Sequence, residues 1–271
     1  MILMKRSSAL LAVVVSSLIT FFANAQPTLR IAVAANFSSA LKSIAMQYRK
    51  DTGQAISITV SSSGTLYAQL THGARFDIFF SADMARPAAL AEQGRIASDD
   101  VHVYALGKLV LVSSHPSITL DTISETLSSS DKLAIANPKL APYGVAAQQV
   151  LLGAKQWESL SSRLVTGKNV LQTYQFFTTG NAMAAIVSQS LLDETTVDKA
   201  AMFTTPIPQH FHAPIKQGVA ITATDEQYKR AAHFVDYVLS DAVQRQLSSM
   251  GYQPVSCDMH CDSTEKIMVK Q

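Results

Sequence analysis

Leu29-Arg30-Ile31-Ala32-Val33-Ala34-Ala35-Asn36-Phe37-Ser38-Ser39 is the stretch on which the fold turns. Its first six residues read as a strand. Phe37, Leu41, Ile44 and Tyr48 then fall at helical spacing, so the strand runs straight into a helix. The pattern recurs: Ile56-Ser57-Ile58-Thr59-Val60 alternates as a strand, Ser61-Ser62-Ser63-Gly64-Thr65 follows, and Leu66 and Leu70 belong to the next helix. In both places small hydroxyl or amide side chains stand where a helix begins, at the carboxyl end of a strand. Backbone N–H groups point outward there and the helix dipole favours an anion. Ser, Thr and Asn are also good N-caps, the plainer reading of either segment alone. Two such turns in one chain, both without Asp or Glu, open the second reading of an oxyanion site.

The chain beyond them keeps alternating. Phe76 to Phe80 reads as a short buried strand ending in Ser81-Ala82-Asp83, and a helix from Arg86 to Gln93 closes at Gly94. Val101 to Leu106 and Lys108 to Ser113 are β-prone on either side of Gly107. Lys132 to Ala136, Ala184 to Val187 and Val219 to Thr222 add strands; Gly144 to Leu152 and Asn169 to Phe177 add helices. Asp225 opens a long amphipathic helix that resumes after Asp241 and stops at Gly251. This predicts an α/β fold with mixed, mainly parallel sheets. Nine or ten strands are many for one sheet, so two lobes are expected. Residues 26–107 with 216–255 form lobe 1, 108–215 form lobe 2, and 256–271 form a tail. Ligands on such folds sit outside the carboxyl ends of strands, here in the cleft between lobes.

The front of the chain is an export signal. Lys5 and Arg6 precede an uncharged, mostly apolar run from Ala9 to Phe22, then Ala23-Asn24-Ala25, with cutting expected after Ala25. The run is short for a membrane span, and no Cys near the cut offers a lipid anchor. Removing Lys5 and Arg6 takes the formal charge of +2 to zero. A neutral chain carries no basic field for nucleic acid or anionic membranes.

Taken together, Ala34-Ala35-Asn36-Phe37-Ser38-Ser39-Ala40-Leu41, Ser61-Ser62-Ser63-Gly64-Thr65-Leu66, Phe76-Asp77-Ile78-Phe79-Phe80-Ser81-Ala82-Asp83, Pro142-Tyr143-Gly144 and Met250-Gly251-Tyr252-Gln253-Pro254 carry a resemblance. From about Leu29 to Pro254 the chain resembles the periplasmic molybdate-binding proteins that serve ABC importers. The resemblance implies a type II two-lobed solute-binding fold, a molybdate or tungstate ligand, a membrane permease as partner, a periplasmic monomer, no cofactor and no catalysis. It implies donors at Asn36 (side chain and N–H), Ser63 (Oγ and N–H), and Tyr143 and Val170 (backbone N–H). Ala35 stands where some relatives have Thr, and Ser188 where some place a Tyr hydroxyl against the ligand; Ser is too short to replace it directly. The only metal this implies is molybdenum, as molybdate. The chemistry is coherent: a tetrahedral dianion has acceptor lone pairs and no protons, so its site needs donors and no carboxylate.

Other readings stay open. The two departures at Ala35 and Ser188 leave room for another tetrahedral oxyanion, sulfate or chromate. An exported hydrolase using Ser63 is a third, although the chain has no Gly-x-Ser-x-Gly elbow, phosphate loop or His-Glu-x-x-His. Cys257 and Cys261 suit a disulfide in an exported chain; with His260 they also offer a soft-metal site, the basis of a metal-handling reading. His210-Phe211-His212, among Pro206, Pro208 and Pro214, reads as a loop.

Overall fold

A computed structural model of the chain describes residues 27–192, 202–253 and 255. The signal segment and the cysteine tail lie outside them. Ten strands form two five-stranded sheets. The first runs β2 (Ile56–Ser61), β1 (Leu29–Ala34), β3 (Ile78–Phe80), β10 (Ile215–Ile221), β4 (Val101–Gly107). Within it β1 is parallel to β2 and β3, while β10 is antiparallel to both β3 and β4. The second repeats the layout as β7 (Leu164–Gly167), β6 (Leu133–Ala136), β8 (Ala184–Ser188), β5 (Leu109–Ser113), β9 (Phe203–Pro206). There β6 is parallel to β7 and β8, and β5 is antiparallel to β8 and β9. The α/β two-lobed fold is therefore as the alternation predicts.

Side-chain alternation along the strands separates two cores in the first lobe. Leu29, Ile31 and Val33 of β1 face one way, with Phe80, Val219 and Ile221. They pack on helices α1 (Ser38–Thr52), α6 (Asp225–Leu239) and α7 (Asp241–Ser249) through Leu41, Ile44, Phe234, Val238 and Leu247. Ala32, Phe79 and Ala220 face the other way, onto α2 (Ser63–Thr71) and α3 (Ala85–Glu92) through Leu66, Leu70 and Leu90. With helices on both faces, β1 is buried almost end to end, whereas edge strand β2 alternates between half-buried and exposed. The second lobe has its own core. Leu109 to Val112, Leu133 to Ala136 and Ala184 to Val187 pack on α4 (Pro142–Gly153) and α5 (Val170–Thr178).

Two strands carry the chain between the sheets. It leaves lobe 1 at Gly107 and returns at Ile215, and these two residues are partners in the ladder. The returning strand is longer than the sequence suggests, because Lys216, Gln217 and Gly218 interrupt its apolar run and a bulge lies between Gln217 and Gly218. Gln253 adds an isolated bridge to Leu106 on the same side.

Candidate functional site

Four helix starts converge between the lobes. After β1 the chain makes a 3-10 turn, Ala35–Phe37, before α1; α2 starts at Ser63, α4 at Pro142 and α5 at Val170. Their first residues enclose a cavity of about 10 Å³, counted as space open to the centre of a water. Its lining comprises Ala34, Ala35, Asn36, Ser62, Ser63 and Ala82 from lobe 1, and Ala141, Pro142, Tyr143, Asn169 and Val170 from lobe 2. On that measure a single water needs roughly 10–15 Å³, so the lobes stand closed.

Three of these helices leave specific donors unspent. The first N–H groups of a helix have no acceptor within it. In α2, Gly64 N–H donates across the cleft to Leu140 O (2.9 Å) and Thr65 N–H to Ser62 Oγ (3.2 Å), which leaves Ser63 N–H facing the cavity. In α4, Pro142 has no N–H, so the first donor is Tyr143. In α5, Asn169 Oδ1 accepts from Gln172 N–H (2.9 Å), leaving Val170 N–H at the first position. Ser63 Oγ accepts from Ala82 N–H at 2.8 Å, so its own proton is free to be donated. Ala35 lines the cavity with backbone and a methyl group only.

The electrostatics point one way. None of the lining residues is charged, and the first turns at Ala35, Ser38, Ser63, Pro142 and Val170 contain no acid. By contrast α6 and α7, which do not reach the cavity, start on Asp225, Glu226 and Asp241. Arg86, which lies beside Gly64, is paired with Asp83. A neutral cavity with four helix starts aimed into it is built for an anion.

Of the residues singled out from the sequence, Ala35, Asn36, Ser63, Tyr143 and Val170 meet around this cavity; Ser188 does not line it. It ends β8 behind the cavity, where its hydroxyl pairs with that of Ser190 at 2.7 Å. Cys257 and Cys261 lie outside the described residues. The sequence reading passed over Ala141 and Asn169, which line the cavity, and Gln217, Tyr104 and Ser190 behind it. Pro142 was the available signal for the first of these, since proline favours the first position of a helix. Tyr143 and Tyr104 are wholly buried, and burial pushes both phenols up from their ordinary range, Tyr104 well up.

Comparison with known proteins agrees with this architecture. The chain is 34% identical over 221 residues to the molybdate-binding protein ModA of Rhodobacter capsulatus, covering 82% of this chain and 86% of that protein. It is 35% identical over 226 residues to ModA of Azotobacter vinelandii, covering 82% and 88%. The solved structure of the Azotobacter vinelandii periplasmic molybdate-binding protein superposes with a TM-score of 0.76 at 30% identity, over 84% of this chain and all of that one. The family model of the bacterial extracellular solute-binding proteins matches residues 29–253. With that match, and with two lobes closing on one cavity, the chain belongs to the bacterial extracellular solute-binding proteins.

Proposed function

We propose that the protein captures molybdate, and with it tungstate, in the periplasm and delivers it to an ABC importer. The observation that carries this is the uncharged cavity onto which four acid-free helix starts converge from both lobes. The ModA relatives support the choice of anion. In this reading Asn36 donates from its side chain and N–H, Ser63 from Oγ and N–H, and Tyr143 and Val170 from backbone N–H groups. Hydrogen bonds to a charged group contribute about 1.5–3 kcal/mol each. Five or six of them supply roughly 10 kcal/mol after dehydration of the dianion takes its share, a dissociation constant near ~0.1 µM.

Nothing in this chemistry asks for turnover, so the protein acts as a binder. Export, with cleavage after Ala25, puts it where a membrane permease can meet its closed form. Selection against sulfate rests on size, because both anions present the same oxygens to the same donors. Calorimetry on the mature protein, stripped of ligand, tests the proposal. Sub-micromolar heats with molybdate and tungstate and none with sulfate or phosphate are expected; silence toward both metal oxyanions overturns it.

A further inference from the structure

Asn36 is held by more than its own turn. Its Nδ2 donates to Gln217 Oε1 at 2.6 Å, and Tyr104 OH donates to the same oxygen at 2.8 Å. Gln217 Nε2 donates in turn to Tyr143 OH at 3.4 Å. Ser188 pairs with Ser190 (2.7 Å), and Ser190 Oγ and Tyr252 OH both donate to the backbone oxygen of Asn36 itself, at 3.0 and 2.6 Å. These bonds hold Asn36 both by its side chain and by its carbonyl. Asn36, Gln217, Tyr143, Ser188 and Ser190 are each no more than 3% exposed.

The carbonyl of Asn36 can only accept, and each hydroxyl has one proton to give. Ser190 spends its proton on that carbonyl, so Ser188 donates to Ser190. Gln217 Nε2 faces Tyr143 OH, which turns Gln217 Oε1 toward Asn36 and Tyr104. Turning the Gln217 amide over would set its nitrogen against Asn36 Nδ2, two donors face to face in a buried place.

The network bridges the lobes at two places, from Gln217 to Tyr143 and from Ser190 to Asn36. Asn36 belongs to lobe 1, Tyr143, Ser188 and Ser190 to lobe 2, and Gln217 to the strand returning from one to the other. Gly107, on the opposite crossing strand, makes room for it: a Cβ there would stand 2.2 Å from Tyr143 OH and 3.1 Å from Gln217 Nε2.

We propose that Gln217 is a positioning residue for the oxyanion. Through these bonds it ties the Asn36 side chain of one lobe to Tyr143 of the other, so that lobe closure and presentation of the Asn36 donors are a single event. This rests on the oxyanion reading of the cavity. Gln217 itself touches no ligand; it acts through Asn36 and Tyr143.

The test is calorimetry on the mature protein, on Gln217→Leu, on Tyr143→Phe, which keeps the backbone donor of Tyr143, and on the double variant. Molybdate, tungstate, sulfate and phosphate are the probes, and thermal unfolding confirms that each variant is folded. Each single variant is expected to bind about tenfold more weakly or worse. The double variant is expected to lose little more than the worse single one, since both variants remove the same link between the lobes. Gln217→Glu adds a pH profile. Protonated, its carboxyl can still donate to Tyr143; ionised, it can only accept, so affinity falls with rising pH while that of the parent stays level. Parent-like affinity in both single variants, or losses that multiply, overturns the positioning role. If the parent binds sulfate and not molybdate, the proposed function falls, and the positioning role is judged by the same comparison with sulfate.

Discussion

Ser62 and Ser63 divide the two readings of their turn between them. Ser62 is an ordinary N-cap, its Oγ taking the Thr65 N–H. Ser63 takes the N–H of Ala82 instead and keeps its own proton for the cavity. Ser63→Ala should therefore weaken oxyanion binding by about ten- to a hundredfold, the range expected for a lost bond to a charge, as read by calorimetry. Asn36→Asp should abolish binding at neutral pH while leaving a folded protein, because it sets a carboxylate against a dianion; circular dichroism and calorimetry together check this. Tyr143 and Tyr104 give a prediction for alkaline pH. Burial raises both, so the folded state holds these protons more tightly than the unfolded chain does. Their contribution to stability is complete below the ordinary tyrosine range near pH ~10 and is lost as pH rises beyond it. Thermal unfolding across that range should show the decline, shallower in Tyr143→Phe. That Asn36 and Ser63 stand at helix starts lining one cavity was legible in the sequence, because each sits beside the strand that delivers it. Gln217 was not: 181 positions separate it from Asn36, and one glutamine in a strand announces no partner.

At the level of elements, what could be read followed from periodicity. The first two strand–helix units, the two closing helices and the crossing at Gly107 stand out because their apolar residues are dense and regular. β7 and β9 went unread. β7 is four residues long and ends on glycine, and β9, Phe203–Pro206, is an exposed edge strand with proline at its end, so neither carries a buried stripe. The start of α4 was placed two residues late because Pro142 and Tyr143 belong to the helix. Just behind them, Gly144 lies against the end of β6, where a Cβ would fall 2.3 Å from Ala136 O. Gly144→Ala must push α4 off β6 and carry the Tyr143 N–H with it. It should lower stability by roughly 1–3 kcal/mol, the usual cost of overpacking, and weaken binding as well. Denaturant unfolding and calorimetry report the two effects separately.

The molecule as a whole is two similar sheets joined by a pair of strands, a construction that bends most easily where the strands cross. Closure is held by contacts that part with the lobes, among them Gly64 N–H to Leu140 O and Ser190 Oγ to Asn36 O. Small-angle scattering of the ligand-free mature protein should show a larger radius that contracts on adding saturating molybdate; an unchanged curve would count against closure. One consequence belongs to no single contact. The cavity contains no cation, so a dianion seated in it keeps both of its charges. Loading therefore lowers the net charge by two, from zero to −2 for a chain cut after Ala25 as proposed. On a nondenaturing gel the loaded form should run nearer the anode than the empty one. Occupancy of a buried cavity then shows on the outside of the molecule as a change in net charge.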